Sequence, residues 1–199
     1  MTALHAIIEK CSRSISAAIL PERKRKTVNS RPVKILLCGK PGSGKSTVIR
    51  RVIGDKRPIY GFETVFLKDG NLYLKKAFDD HAVFSEENRV GTRGVKPGSA
   101  VGFPEVFDRA GTDILKNIPE GSDVVLDEMG FLEKDAIMFL NSLTEILKGN
   151  YRVIGAIKPL DIPHLNFFRE LPGICLLSLT AENREDVFRQ AEKLWLGSV

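Results

Sequence analysis

The sequence predicts a three-layer α/β fold, with a mostly parallel central sheet, helices on both faces and a β-hairpin insertion. Three observations lead there. Short apolar runs at residues 33–38, 123–127, 153–157 and 174–179 are too short for helices and apolar at consecutive positions, as strands buried on both faces are. Segments with helical spacing alternate with these runs, the pattern of parallel strands joined by crossover helices. Between the first two runs stand Tyr60 to Lys68 and Leu72 to Phe78, rich in aromatic and branched residues, with the hairpin signal Asp69-Gly70 between them.

The elements follow in order. Leu4, Ile8, Cys11, Ile15 and Ala18 recur at helical spacing, so residues 3–20 read as an amphipathic helix that Pro21 ends. Arg23-Lys24-Arg25-Lys26 then makes a basic linker, and residues 1–31 divide from a main domain at 32–199. Residues 33–38 form the first buried strand between Pro32 and Gly39, and Ser46 to Ile53 continues as a helix to Gly54-Asp55. After the hairpin, residues 85–102 are polar and glycine-rich and read as a long mobile loop. Residues 104–117 read as a helix, 123–127 as a strand, 133–148 as an amphipathic helix closed by Gly149-Asn150, and 153–157 as a strand. Residues 164–171 form a short helix stopped by Pro172-Gly173, 174–179 a strand, and Thr180 caps a last helix at 181–195.

Composition excludes several classes. With 199 residues, 43% hydrophobic and 28% charged, the chain resembles an average globular protein rather than a disordered, collagenous or coiled-coil one. No apolar run reaches the roughly 20 residues that span a bilayer, and the N-terminus lacks a secretory signal pattern. Cys11, Cys38 and Cys175 show neither a disulfide framework nor zinc spacing. The expectation is a reduced, cytoplasmic protein. Residues 1–31 hold seven basic and two acidic residues and so carry the whole net charge of +5, leaving the main domain neutral. That domain is not a basic nucleic-acid-binding one. The N-terminal helix can pack on the domain, seal a dimer, dock a protein partner or lie on a membrane surface, and its basic tail suits nucleic acid or anionic lipid.

The chemistry concentrates in two places. Gly39-Lys40-Pro41-Gly42-Ser43-Gly44-Lys45-Ser46 matches G-x-x-x-x-G-K-[ST] at every fixed position, after a buried strand and opening a helix. Glycines let the backbone turn its N–H groups towards one centre, and the helix N-terminus adds to that field. Lys45 supplies a point charge for the β- and γ-phosphates, and the Ser46 hydroxyl is a hard oxygen ligand for Mg²⁺. These eight residues with Thr47 are the candidate nucleotide-binding set. The second place is Asp127-Glu128, two carboxylates ending an apolar strand, where such sheets face their ligand crevice. Asp127 belongs beside Mg²⁺, and Glu128 can polarise a water attacking the γ-phosphate.

A further positive charge is needed for the transition state. Arg89, Arg93, Lys96, Arg109 and Lys158 are candidates, and Asn183-Arg184 after the last strand can flank the nucleotide base. His5, His81 and His164 lack metal-ligand spacing.

With these motifs read, the chain resembles the small nucleoside-triphosphatases of archaea, bacteria and animals, a group of P-loop NTPases also described as nucleotide phosphatase/kinase-like. The resemblance rests on Gly39 to Ser46, Gly61-Phe62-Glu63-Thr64, Val125 to Glu133, Ile154-Gly155-Ala156-Ile157 and Thr180-Ala181-Glu182-Asn183-Arg184. It implies a RecA-like core with an extra strand between the phosphate-loop strand and the Asp127 strand. It also implies slow, base-tolerant hydrolysis of ATP, GTP and other triphosphates, and it strengthens Arg184 as a nucleotide contact. The chain departs from the family pattern at Val65 and Phe66, where a carboxylate usually follows Thr64, at Leu72 to Lys75, and at Phe131, where a basic residue is usual.

The leading expectation is Mg²⁺-dependent hydrolysis of nucleoside triphosphates, with Lys45 and Glu128 catalytic and Ser46 and Asp127 on the metal. The alternatives are a small kinase with residues 85–102 as its lid, and a nucleotide-controlled switch with little turnover. Only hydrolysis strictly needs Glu128.

Overall fold

Alternation along the first buried strand sets the layers. In β1 (Lys34–Cys38), Ile35 and Leu37 point to one face and Leu36 to the other, and all three are wholly buried. The computed structural model describes residues 32–55, 58–95 and 99–197. The expected helix at 3–20 and the basic linker lie outside them, as do Cys11, His5 and Lys96. The other strands are β2 (Tyr60–Phe66), β3 (Asn71–Lys76), β4 (Arg89–Arg93), β5 (Ala100–Gly102), β6 (Asp123–Met129), β7 (Arg152–Ile157) and β8 (Ile174–Ser178). They make one sheet in the order β5-β4-β3-β2-β6-β7-β1-β8. From β2 to β8 every pairing is parallel. The remaining three strands extend the sheet antiparallel.

Helices cover both faces. Ile35, Leu37, Val125 and Ile154 pack with Val48 and Ile49 of α1 (Lys45–Ile53) and with Trp195 at the end of α6 (Arg184–Trp195). On the other face, Leu36, Phe62, Leu74 and Leu126 pack with Phe139 and Leu143 of α4 (Ile137–Lys148) and Phe168 of α5 (Pro163–Glu170). Phe62, Phe139 and Phe107 stack in series, with ring centroids 5.4 and 5.2 Å apart. The three-layer α/β expectation therefore holds, and β7 is the strand between β1 and β6 that the resemblance implied.

Several boundaries differ from the sequence reading. Residues 85–102 are not simply a loop: β4 and β5 lie within them, and Val90 is fully buried. Their glycines hid the strands, because Gly91 and Gly102 sit where backbone passes close, a Cβ on Gly102 falling 2.3 Å from the Leu132 carbonyl oxygen. Residues 104–117 are helical but divided, with α2 (Pro104–Val106), a π-helical turn (Phe107–Gly111) and α3 (Thr112–Lys116). Helix α4 starts at Ile137 rather than 133, because Glu133 turns back to accept the Gly130 N–H. Helix α6 starts at Arg184, because Thr180 and Asn183 close a reciprocal turn instead: Thr180 N–H donates to Asn183 Oδ1 at 2.8 Å and Asn183 N–H to Thr180 Oγ1 at 3.3 Å. Strand β6 continues through both carboxylates to Met129.

The joint between wing and core is tight at Gly61. It pairs with Val125 at φ 103°, and a Cβ there would lie 1.9 Å from the Val125 carbonyl oxygen. Gly61→Ala is expected to lower stability by at least about 2 kcal/mol, from left-handed strain plus this clash. A urea unfolding midpoint shifted by less than the equivalent of 0.5 kcal/mol (roughly the size of a neutral surface change) would contradict it.

Candidate active site

The parallel strands end together along one edge of the sheet, and each end contributes residues there. β1 leads into residues 39–44, which pass into α1 through Gly44 at φ 102°. Any other residue is strained at that φ, and a Cβ on Gly44, 2.4 Å from Arg184 Nε, would push the arginine aside. The loop closes on itself through Ser43 N–H to the Lys40 carbonyl at 3.2 Å. Lys45 is the first residue of α1 and its side chain is only 5% exposed. Its ammonium donates to the carbonyls of Gly39 at 2.8 Å and Lys40 at 3.1 Å, and lies 3.0 Å from Glu128 Oε1. The two predicted catalytic residues are thus in contact, although 83 positions apart. Lys40, Pro41, Gly42, Ser46 and Thr47 are exposed.

The Ser46 hydroxyl lies beside the Asp127 carboxylate and favours its charged form. Asp127 is nearly buried, and burial raises its pKa to about 6, with the Ser46 hydroxyl acting against the shift and the charges of Glu128 and Glu63 adding to it. Among the described residues no three His, Cys, Asp or Glu side chains converge on a metal. One hydroxyl and one carboxylate beside a phosphate loop nevertheless suit magnesium, which takes few protein ligands and completes its shell from phosphates and water. A cation at Asp127 would also relieve a charge that burial now disfavours.

Three residues escaped the sequence reading as site members. Thr64 brackets the Asp127–Glu128 peptide: its hydroxyl accepts the Glu128 N–H at 3.3 Å and donates to the Asp127 carbonyl at 3.4 Å. Glu63 pairs with Asp127 across β2 and β6, and its buried carboxylate is held by Arg50 and Lys75, each at 2.8 Å. Both belong to the Gly61-Phe62-Glu63-Thr64 segment that carries the resemblance, but nothing in the sequence brings that segment to the acidic pair. Glu133 is 3% exposed and accepts the Gly130 N–H. Burial pushes its pKa up to about 7, while the Gly130 hydrogen bond and Lys158 pull it down.

The cation candidates separate. Arg184 Nε donates to the Ser43 carbonyl at 3.0 Å, on the phosphate loop itself. Arg89 pairs with Glu86, Arg93 stacks over Phe66 at 5.1 Å, and Arg109 donates to the Glu87 carbonyl at 3.0 Å, all on the antiparallel wing or its neighbouring helix. Lys158 lines a cavity of about 330 Å³ together with Pro41, Thr64, Glu128 and Glu133. His164 Nε2 donates to the Gly130 carbonyl at 2.7 Å, His81 lies outside this group, and Cys38 and Cys175 are free thiols.

A family model described as NTPase matches residues 34–191. The nucleoside-triphosphatase THEP1 of Natranaerobius thermophilus is 29% identical over 170 residues, covering 77% of this chain and 90% of that protein. THEP1 of Aquifex aeolicus is 28% identical over 170 residues, covering 77% and 93%. The crystal structure of the Aquifex aeolicus THEP1 superposes with a TM-score of 0.62 over 79% of this chain and 96% of that one, at 22% identity.

Glu133 yields a pH prediction. Its carboxyl titrates near 4.5 when unfolded and about 7 when folded, so the folded state holds the proton more tightly and loses stability as pH rises between those values. Glu133→Gln can still accept the Gly130 N–H. Relative to the parent it should be unchanged near pH 4.5 and more stable by about 2–3 kcal/mol at pH 8, read from urea unfolding at both pH values.

Proposed function

The chain belongs to the NTPase family and is by that membership a nucleoside-triphosphatase, and from that premise we propose that it hydrolyses nucleoside 5′-triphosphates, ATP and GTP among them, to diphosphate and phosphate in the cytoplasm, with Glu128 activating the water. The observation that carries this reading is the contact of Lys45 with Glu128. The Lys45 ammonium donates to the Gly39 and Lys40 carbonyls, and its charge stands 3.0 Å from Glu128 Oε1, which accepts no hydrogen bond. A γ-phosphate entering the loop competes for that ammonium, and the exposed competitor is Glu128, whose side chain is 21% accessible. Phosphate binding thus draws Lys45 onto the substrate and frees the Glu128 carboxylate to take a proton from water. The backbone of residues 39–44 holds the phosphates, and Arg184, against the Ser43 carbonyl, flanks the nucleotide. Thr64 fixes the peptide from which Glu128 projects. Ser46 and Asp127 would hold magnesium, which when bound supplies positive charge to the phosphate oxygens.

A carboxylate that accepts a proton favours water as nucleophile without any second substrate. Purified protein with ATP or GTP and Mg²⁺ should therefore release phosphate with no added acceptor. Glu128→Gln should lower kcat by about 10²–10⁴-fold while a nonhydrolysable triphosphate analogue still binds. Turnover within threefold of the parent would remove Glu128 as the base, and transfer only in the presence of an added alcohol would favour a kinase.

A further inference from the structure

We infer that Lys158 is the second catalytic cation of this site, reaching the γ-phosphate from the cavity it shares with Glu128 and stabilising charge in the transition state; this rests on the hydrolytic reading above. Phosphoryl transfer places growing charge on the bridging and terminal oxygens, and fixed cations from more than one direction are the usual means of stabilising it. Lys45 is committed from below, at the base of the loop. Lys158 comes from a different strand. It immediately follows β7, the strand between the phosphate-loop strand and the Asp127 strand, so the topology alone delivers it to the crevice. It borders the cavity that also exposes Pro41 of the loop and Glu128.

The surroundings hold Lys158 there, with Glu133 near enough to feel its charge but outside ion-pair contact. Its N–H donates to the Met129 carbonyl at 3.0 Å, and its own carbonyl accepts from Arg169, so the backbone is pinned from both sides. Its side chain lies along Gly130, where an added Cβ would stand 3.1 Å from Cδ and 3.5 Å from Nζ. The ammonium sits 5.2 Å from the Phe131 ring centroid. Among the described residues no carboxylate lies within ion-pair distance of it, whereas Arg89 is paired and Arg93 and Arg109 are engaged on the wing. A half-buried cation on a phosphate cavity, oriented but unpaired, is suited to an anion that arrives with the substrate.

The test compares Lys158→Met and Lys158→Arg with the parent, full length. The first measurement is kcat and KM for phosphate release from ATP with Mg²⁺. The second is affinity for a nonhydrolysable ATP analogue and for ADP with aluminium fluoride, which mimics the transferring phosphoryl group. Lys158→Met should lose about 10²–10³-fold in kcat (the range of one electrostatic contact of this kind), keep KM and analogue affinity within threefold, and bind ADP–aluminium fluoride at least tenfold more weakly. Lys158→Arg should recover part of both. Unchanged kcat, or analogue binding weakened as much as ADP–aluminium fluoride binding, would overturn the inference and make Lys158 a structural or ground-state contact. Absence of phosphate release from the parent would overturn the hydrolytic reading alone, since the aluminium fluoride comparison still decides Lys158: equal affinity in parent and Lys158→Met rejects it.

Discussion

Two adjacent carboxylates at the end of a strand buried on both faces are the constraint around which the rest is arranged. Asp127 and Glu128 continue β6 past Val124, Val125 and Leu126, none of which is accessible to water. A carboxylate in such a place is unfavourable unless something positive or hydrogen-bonding meets it. The chain meets Glu128 with Lys45, meets Asp127 with the Ser46 hydroxyl, and fixes the peptide between them with Thr64. Lys45 and Ser46 come from the helix that follows β1, and Thr64 comes from β2. The acidic pair is therefore in its place only when β1, β2 and β6 stand in their native order.

The antiparallel wing matters for the same reason. β2 belongs to both halves of the sheet, pairing in parallel with β6 and antiparallel with β3. Through it Glu63 is set level with Asp127 and tied to Arg50 of α1 and Lys75 of β3. One buried carboxylate thus links the helix after the phosphate loop, the acidic strand and the wing. The charges of Glu63 and Glu128 both work against ionisation of Asp127. A cation beside Asp127 would offset both.

Sequence patterns are legible where chemistry is local. The phosphate loop needs no partner to be recognised, because glycines, a lysine and a hydroxyl at set spacing define its backbone path, and the helix after it starts within one residue of the reading. The failures have local causes too. Residues 85–102 read as a loop because glycines at close crossings weaken strand propensity in the very places where β4 and β5 pair. Helices α4 and α6 start late because Glu133, Thr180 and Asn183 spend their side chains on turns before the first helical residue.

By itself, the sequence determined the α/β class, the phosphate loop and the acidic pair, since each is written in neighbouring residues whose spacing sets the backbone they can form. Tertiary structure decided which distant side chains share a site: that Thr64 and Glu63 stand beside Asp127, that Glu133 is buried, and that of the loose cations Lys158 borders the cavity while Arg89, Arg93 and Arg109 lie elsewhere. Strand order supplies that information. It arises from packing the whole sheet at once, and no window of the chain contains it.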